Sequence, residues 1–549
     1  MTMQLKNVSL NAAAHNVAHK LHGLADLSRE AAVILFRTLV LNERVSPSTE
    51  TGKELVRADI VNTFGQLKPW VAHMTEEVIE ELVWSAGQNL APMSEPHSMA
   101  DLGHKAVKGA SKVGKRAQDA QRSMEKTAFC YDRRVLALAT QREHSLTREE
   151  RMALYVARME SHPDTVYFPV SYDYRGRMYY RGGIITPQGS DLLKGMLRFA
   201  DAAPIGKHGR YAIELALADS LGIKTPKREA ISTIRKMALA PLWTELTHGY
   251  QAAALAMELQ DLLLWIGSGN PEESFESGII CHQDATCSGL QIAAAITGCR
   301  ETAIATNCVA SSKDEAREDV YGEVADLCAE GYSQGAEYAR KYGRDMYKYA
   351  LMIMGYGAGI KTIMRQCTDY LLTEHNIDWE FDEQSKMELE AALHAKCGAT
   401  MALLSALQEL VEAHGDDDLT WNVNGTKVVQ HKTEGVEHSA GSFKMEFDAT
   451  YDQQLNKLAL APNFVHSLDA SQMQFAVSFL NGKPVAAIHD SLGTRPCDYW
   501  EAGVQVRKAF AACKPRETAA EFFKAYGMSV PYLGDYTPQE AMNSAYFWC

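Results

Sequence analysis

Apolar positions along the chain recur at two different spacings. In segments such as SREAAVILFRTLVLNERV (28–45) and TREERMALYVARMESH (147–162) they return every three or four residues, the period of a helix with one buried face. Ser28 and Thr147 stand where N-cap side chains belong, and residues 1–165 read as largely helical. Further along, short β-like runs appear at VYFPVSYDY, GIICHQDAT and PVAAIHDSLGT, separated by long helical stretches such as DEAREDVYGEVADLCAEGYSQGAEYARKYG. The segment TKVVQHKTEGVEHSAGSFKMEFDAT, residues 426–450, reads as two strands joined by a Gly/Glu/His/Ser turn region, a hairpin. The strands are spaced too irregularly for successive βαβ units, so the pattern predicts an α+β fold, a small sheet surrounded by helices.

At 549 residues the chain exceeds what one hydrophobic core holds, and two or three lobes around a cleft are expected. The hydrophobic fraction of 46% and charged fraction of 23% are ordinary for a folded protein, and no long apolar run offers a membrane span. The opening MTMQLKNVSLNAAAHNVAHKLHG has neither a continuous apolar core nor a small-residue cleavage site, which points to a protein that stays where it is made. Eleven cysteines, odd in number and never spaced CxxC, indicate reduced thiols in a cytoplasm rather than a disulfide framework or a zinc site. A net charge of −14 weighs against general phosphate binding. Residues 101–134, however, carry nine Lys/Arg against four acids, a local +5 that suits either a nucleic-acid backbone or a solvated helix face.

Two acids change the picture. Asp284 ends the run GIICHQ and Asp490 ends PVAAIH. Taken singly, each reads as a turn or cap residue. A carboxylate closing a buried strand is costly unless paired or metal-bound, and two brought together would suit a pair of Mg²⁺ ions about 3.5–4 Å apart. Such a pair can activate a 3′-hydroxyl and stabilise a leaving pyrophosphate. Between them, RKYGRDMYKYALMIMGYGAG places Arg344 and Lys348 four apart on one face of a predicted helix, and Tyr356, eight further on, returns to nearly the same face. Two cations followed by a ring suit a nucleoside triphosphate; an amphipathic helix with a basic edge and a core tyrosine is the alternative.

From about residue 165 to 549 these motifs, in their order and wide separation, resemble the single-subunit RNA polymerases of bacteriophages and mitochondria. DATCSGLQ (Asp284–Gln291) is similar to that family's first metal motif, Arg344-x₃-Lys348-x₇-Tyr356-Gly357 to its nucleotide-binding finger helix, and HDSLGT (His489–Thr494) to its second metal motif. DYRGRMYY (Asp173–Tyr180) resembles the family's DxRGR segment, which implies that Arg175 and Arg177 face template or hybrid. PQGSDLLKG (Pro187–Gly195) resembles the following palm segment, with Lys194 near nucleic acid, and DVYG (Asp319–Gly322) puts Tyr321 near the incoming nucleotide. APNFVHSLDAS (Ala461–Ser471) places His466 on the family's ribose-contacting histidine, and SAYFWC resembles its aromatic C-terminal foot apart from the last cysteine.

The resemblance implies a right-hand fold of palm, fingers and thumb, mostly helical around a small antiparallel palm sheet. Residues 1–165 would include the thumb, 166–300 the first part of the palm with an insertion at about 207–276, 301–466 the fingers, and 467–549 the second part of the palm and the foot. It implies a DNA-directed RNA polymerase using two Mg²⁺ ions held by Asp284, Asp490 and the Ala285 carbonyl. Lys348, Tyr356 and His466 would join the aspartates in catalysis, and Arg344, Lys348, Tyr356, Gly357, Tyr321 and His466 would bind the nucleotide. Implied partners are a DNA template, an RNA product and ribonucleoside triphosphates, with no membrane. The enzyme would be a monomer in the cytoplasm of an infected host cell, and carriage in the virion is left open.

Only 172 residues precede the DYRGR element, fewer than in the well-known phage enzymes with their large promoter-opening domain. This resembles a shortened branch, for which a promoter-melting or single-strand-binding protein is a candidate partner and the 426–450 hairpin a candidate promoter reader. Gly109-x₄-Gly114-Lys115 lacks the Ser/Thr of a phosphate loop, GYGAG (Gly355–Gly359) lacks dinucleotide spacing, and Asp416, Asp417 and Asp418 lack calcium-loop spacing. A related DNA polymerase typically has a Glu in its first metal motif and Glu after its second aspartate; DATCSGLQ and HDS favour ribonucleotides instead. Primer synthesis by the same chemistry, or a catalytically inactive DNA-binding virion protein, are the other readings.

Overall fold

Helices dominate, and the strands that form are short and antiparallel, as the α+β expectation requires. The computed structural model describes residues 94–98, 113–158, 164–181, 184–223, 225–310, 317–414, 418–431, 433–440 and 443–548, the side chains of 433–451 apart. Ser28, the first part of the 101–134 basic stretch, Asp416 and Asp417 lie outside the described residues, as does most of the region expected to include a thumb. The chain divides into two units, the larger taking in 93–181, 186–432 and 452–549.

In the larger unit α1 (Lys115–Glu125) opens the described part of the basic stretch. Its arginines are engaged within the chain: Arg116 donates to Ser478, Arg122 pairs with Asp119, Arg133 with Asp164, and Arg134 with Asp132, Glu258 and Asp261. Thr147 caps Arg148–Arg158 as its position predicts. Its hydroxyl accepts the Glu150 N–H at 3.2 Å and the Glu150 carboxylate accepts the Thr147 N–H at 3.0 Å, a capping box.

The DYRGR residues form the turn between β1 (Val170–Tyr172) and β2 (Met178–Tyr180), an antiparallel pair. Asp173 organises that turn by accepting the backbone N–H groups of Arg175 and Arg177 at 2.9 and 3.0 Å, and Gly176 supplies the φ of +90° that closes it. There follow α2 (Asp191–Gly195), α3 (Gly209–Ser220) and α4 (Tyr250–Gly267). The expected insertion at 207–276 is thus largely helical, and α3 buries most of its residues and α4 half of its own against each other and their neighbours.

Strand β3 (Cys281–Asp284) leads into α5 (Ser288–Thr297), every residue of which is buried. The long helical stretch expected over 314–343 divides into α6 (Val320–Ala329) and α7 (Gln334–Met354), because Ser333 caps a new helix, its hydroxyl accepting the Ala336 N–H. With α8 (Ile360–His375) and α9 (Glu383–His414) they enclose a core that includes Val320, Val324, Met346, Leu351, Ile363 and Leu389. Each such side chain contributes roughly 1.5–3 kcal/mol by burial.

The 426–450 segment holds three strands, not two. Its first, β5 (Thr426–Gln430), pairs backwards with β4 (Leu419–Val423) through a turn at Asn424 and Gly425, both at positive φ. The hairpin proper is β6 (Thr433–Ala440) with β7 (Phe443–Tyr451), which lies in the smaller unit. Back in the larger unit come α10 (Gln453–Phe479), β8 (Ala486–Ile488), β9 (Ser491–Thr494), α11 (Tyr499–Ala512) and α12 (Pro515–Ala525). The sheet order is β8, β9, β3, all antiparallel.

Candidate active site

Strand register brings the two aspartates together. On β3, Cys281 and Gln283 are buried on one face, so His282 and Asp284 share the other. Asp284 lies opposite Ser491 of β9, and Asp490 occupies the two-residue turn immediately before, with the Ala285 N–H donating to the Asp490 carbonyl at 3.3 Å. The other turn residue, His489, sits at φ +55°, which a non-glycine residue adopts only when its surroundings impose it.

Both carboxylates face one cavity of about 510 Å³. Its walls also carry Lys194 from α2, Arg317 and Tyr321 beside and within α6, and Arg344, Lys348 and Met352 at successive four-residue steps of α7. Arg344 donates from Nε to Asp319 at 2.5 Å and lies over the Tyr321 ring at 5.3 Å. Lys348 is exposed and has no ion pair among the described residues. Burial, and the nearby Lys194 charge after it, hold His282 down at about 4.

Tyr356 does not share the helix face of the two cations. Helix α7 is interrupted at Gly343 (φ +53°) and ends at Met354, so Tyr356 sits in the turn that follows, with Gly357 at φ +98° completing it. That turn packs backbone to backbone on the start of α5: a Cβ on Gly289 would stand 2.8 Å from Gly355. Only two glycines permit the approach, and it delivers Ser288 to the tyrosine. Ser288 Oγ is 2.7 Å from the Tyr356 hydroxyl and donates to Asp490 Oδ2 at 3.3 Å. Burial, with Asp469 and Asp490 nearby, pushes the Tyr356 hydroxyl well above its ordinary pKa.

His466, on α10, places its ring 4.4 Å from that of Tyr356. Arg175 donates to its Nδ1 at 2.8 Å. Burial, then the Arg177 and Arg175 charges, depress the imidazole to about 2, so it is neutral. Arg177 pairs with the buried Asp469, one turn along α10. Burial nevertheless pushes Asp469 up to about 6, Asp490 adding to the rise and Arg177 opposing it. The side-chain nitrogens Arg177 Nε and His489 Nδ1 are buried here without a hydrogen-bond partner among the described residues. Asp173, Asp469 and Ser288 were not singled out from sequence, although each lies inside a segment that was.

The donor set suits magnesium. Two carboxylates lining one cavity leave most coordination positions to water and phosphate oxygens, as Mg²⁺ prefers. The C-terminal residues hold this loop: Ala285 bridges Trp548, Thr286 Oγ1 donates to the Tyr546 carbonyl at 2.7 Å, and Gln291 Nε2 to that of Phe547 at 3.1 Å.

No helix among the described residues is long and apolar enough to cross a membrane. A family model described as DNA-dependent RNA polymerase matches residues 224–418 and 421–531. The DNA-directed RNA polymerase of Pseudomonas phage phiKMV is 31% identical over 459 residues, covering 74% of this chain and 55% of the relative. For DNA-directed RNA polymerase 1, mitochondrial, of Arabidopsis thaliana the figures are 26% over 469 residues, 74% and 46%. DNA-directed RNA polymerase 3, chloroplastic, of Nicotiana sylvestris is 25% identical over 562 residues, covering 89% of the chain and 53% of the relative. The chain spans about half the length of the curated relatives it matches. The family match takes in both aspartate motifs, the cation helix and His466, and with over half of its length so matched the chain belongs to the DNA-dependent RNA polymerase family.

Proposed function

We propose that this chain is a DNA-directed RNA polymerase of the single-subunit phage type, joining ribonucleotides on a DNA template in an infected cell. One observation carries the reading: Asp284, at the end of β3, and Asp490, in the turn that leads into its neighbour β9, face a cavity that also presents Arg344 and Lys348. Family membership supports it. In the right-hand scheme the β8–β9–β3 sheet is the palm, α6–α9 belong to the fingers, and the β6–β7 hairpin is the reader of promoter sequence.

Asp284, Asp490 and the Ala285 carbonyl would hold two Mg²⁺ ions, which when bound lower the pKa of the RNA 3′-hydroxyl and neutralise charge on the transferring phosphoryl group. Arg344 and Lys348 orient the triphosphate, and Tyr321 supports Arg344 from beneath. Tyr356 and His466 meet the ribose, Gly357 lets the Tyr356 turn close, and Lys194 faces nucleic acid, whereas Arg177, expected to do the same, is held within the protein by Asp469. The chain acts as a monomer, with strand opening left to a partner.

The test is incorporation of labelled ribonucleotide on single-stranded DNA in magnesium. Asp284→Asn and Asp490→Asn keep the shape of the side chain and remove its charge, so each is expected to lower the rate by several orders of magnitude while DNA binding persists. Near wild-type elongation by either variant overturns the metal assignment. Product length on templates with and without a promoter separates transcription from primer synthesis.

A further inference from the structure

The guanidinium of Arg175 is held on one side and directed on the other. Asp173 accepts from its Nε at 2.9 Å and its Nη2 at 2.6 Å, and both side chains are largely shielded from solvent. The remaining nitrogen, Nη1, lies 2.8 Å from His466 Nδ1. A guanidinium carries donors only and stays protonated in proteins. Nδ1 must therefore be the acceptor, and the single ring proton of neutral His466 sits on Nε2. No protein acceptor for that Nε2–H occurs among the described residues.

We propose that Arg175 is a positioning residue for sugar selection, locking His466 in the tautomer that offers an Nε2–H donor to the 2′-hydroxyl oxygen of the incoming ribonucleotide. The proposal rests on the reading of His466 as a ribose contact. A deoxyribonucleotide has no oxygen at that position and leaves the donor without a partner in a half-closed site, whereas the opposite tautomer would present an acceptor that any 2′-hydroxyl must turn to meet. Burial and the charges of Arg175 and Arg177 keep a second proton off the ring, so one donor is presented throughout the working range. Arg175 thereby acts through the histidine rather than by touching template or hybrid.

Two variants and two measurements test this on the full chain. Arg175→Leu removes the donor, and Arg175→Lys retains one. The first measurement is the ratio of kcat/KM for a matched NTP and dNTP pair on one primed template. The second is ¹⁵N NMR of histidine-labelled protein, with the His466 signals assigned by their loss in His466→Gln, which reports the nitrogen that carries the proton. The remaining histidines report whether each variant is folded. Expected are an Nε2-protonated ring in the wild type, an appearance of the Nδ1-protonated form in Arg175→Leu with a ratio lowered by about tenfold, and recovery of both in Arg175→Lys. A wild-type ring protonated on Nδ1, or an Arg175→Leu variant with unchanged tautomer and ratio, overturns the proposal. An unchanged ratio in His466→Gln overturns the role in sugar selection even where the NMR shows the lock. Absence of all nucleotide incorporation instead sinks the polymerase reading, and the NMR arm still decides whether Arg175 sets the tautomer.

Discussion

Proton counting gives the hydroxyl chain at the site a direction. Asp490 can only accept, so the one proton of Ser288 goes to it, and the Tyr356 hydroxyl must then donate to Ser288. The lone pairs of the tyrosine oxygen stay available to a substrate hydroxyl. Tyr356→Phe keeps the ring and breaks this chain, so it is expected to retain ribonucleotide activity yet accept deoxyribonucleotides much more readily, while Lys348→Ala loses triphosphate affinity for both. The NTP to dNTP ratio of kcat/KM reads the first effect, and an unchanged ratio would move sugar selection elsewhere in the pocket. Asp469 lends itself to a pH test. Its folded pKa, about 6, lies above the ordinary 3.8, so the folded state binds the extra proton and the stabilisation present below about pH 4 is lost as pH rises through 6. Asp469→Asn mimics the protonated form, and between pH 4 and 7 its stability should gain on the wild type by about 3 kcal/mol; parallel curves would show Asp469 ionised throughout. The aspartates, Arg344 and Lys348 were legible because an acid ending an apolar run and two cations one helical turn apart are local patterns. Asp469 was not, since its partner Arg177 lies 292 residues away and nothing in the helix sequence distinguishes a buried acid from an exposed one.

Elements were legible where a local signal set them. Thr147 announced a helix start, and the runs GIICHQDAT and PVAAIHDSLGT supplied β3 and the β8–β9 pair. The end of α7 was misjudged because helical spacing continues through Tyr356, while the chain is turned by Gly355 and Gly357 against α5 and Pro462, a contact between distant segments. The third strand of 426–450 was missed for a similar reason: β5 finds its partner upstream, across Asn424-Gly425, a turn signal that the longer hairpin pattern obscured. The Gly289–Gly355 approach yields a prediction of its own. Gly289→Ala forces backbone apart in a packed interior, at a cost of about 1–3 kcal/mol, and separates Ser288 from Tyr356. A lowered Tm together with a reduced NTP to dNTP ratio is expected. Gly398→Ala, where an added Cβ meets nothing within 4 Å, is the control and should leave Tm unchanged or raised. Equal behaviour of the two variants would mean that the close approach is not required.

For the whole molecule, charge is the decisive quantity. A net charge of −14 opposes long-range attraction to DNA, and among the described residues Arg116, Arg122, Arg133 and Arg134 each have a partner within the chain, so the proposed reading expects template binding through a few phosphate contacts. The affinity for a primed template, followed by fluorescence anisotropy, should therefore fall by less than about 10³-fold between 50 and 200 mM salt. A steeper fall would assign further phosphate contacts to residues outside those described. The pairing of β3 with β9 also bears on the enzyme's birth. Its two aspartates are encoded about 200 codons apart, and at about 5–20 residues per second a ribosome takes roughly 10–40 s to travel from one to the other. From residue 354 onward the nascent chain holds the whole of its cation helix but only the first of the two aspartates. A transcript broken between codons 354 and 490 encodes the cation helix and Asp284 without Asp490, so on the proposed reading its product is expected to bind nucleotide without joining it.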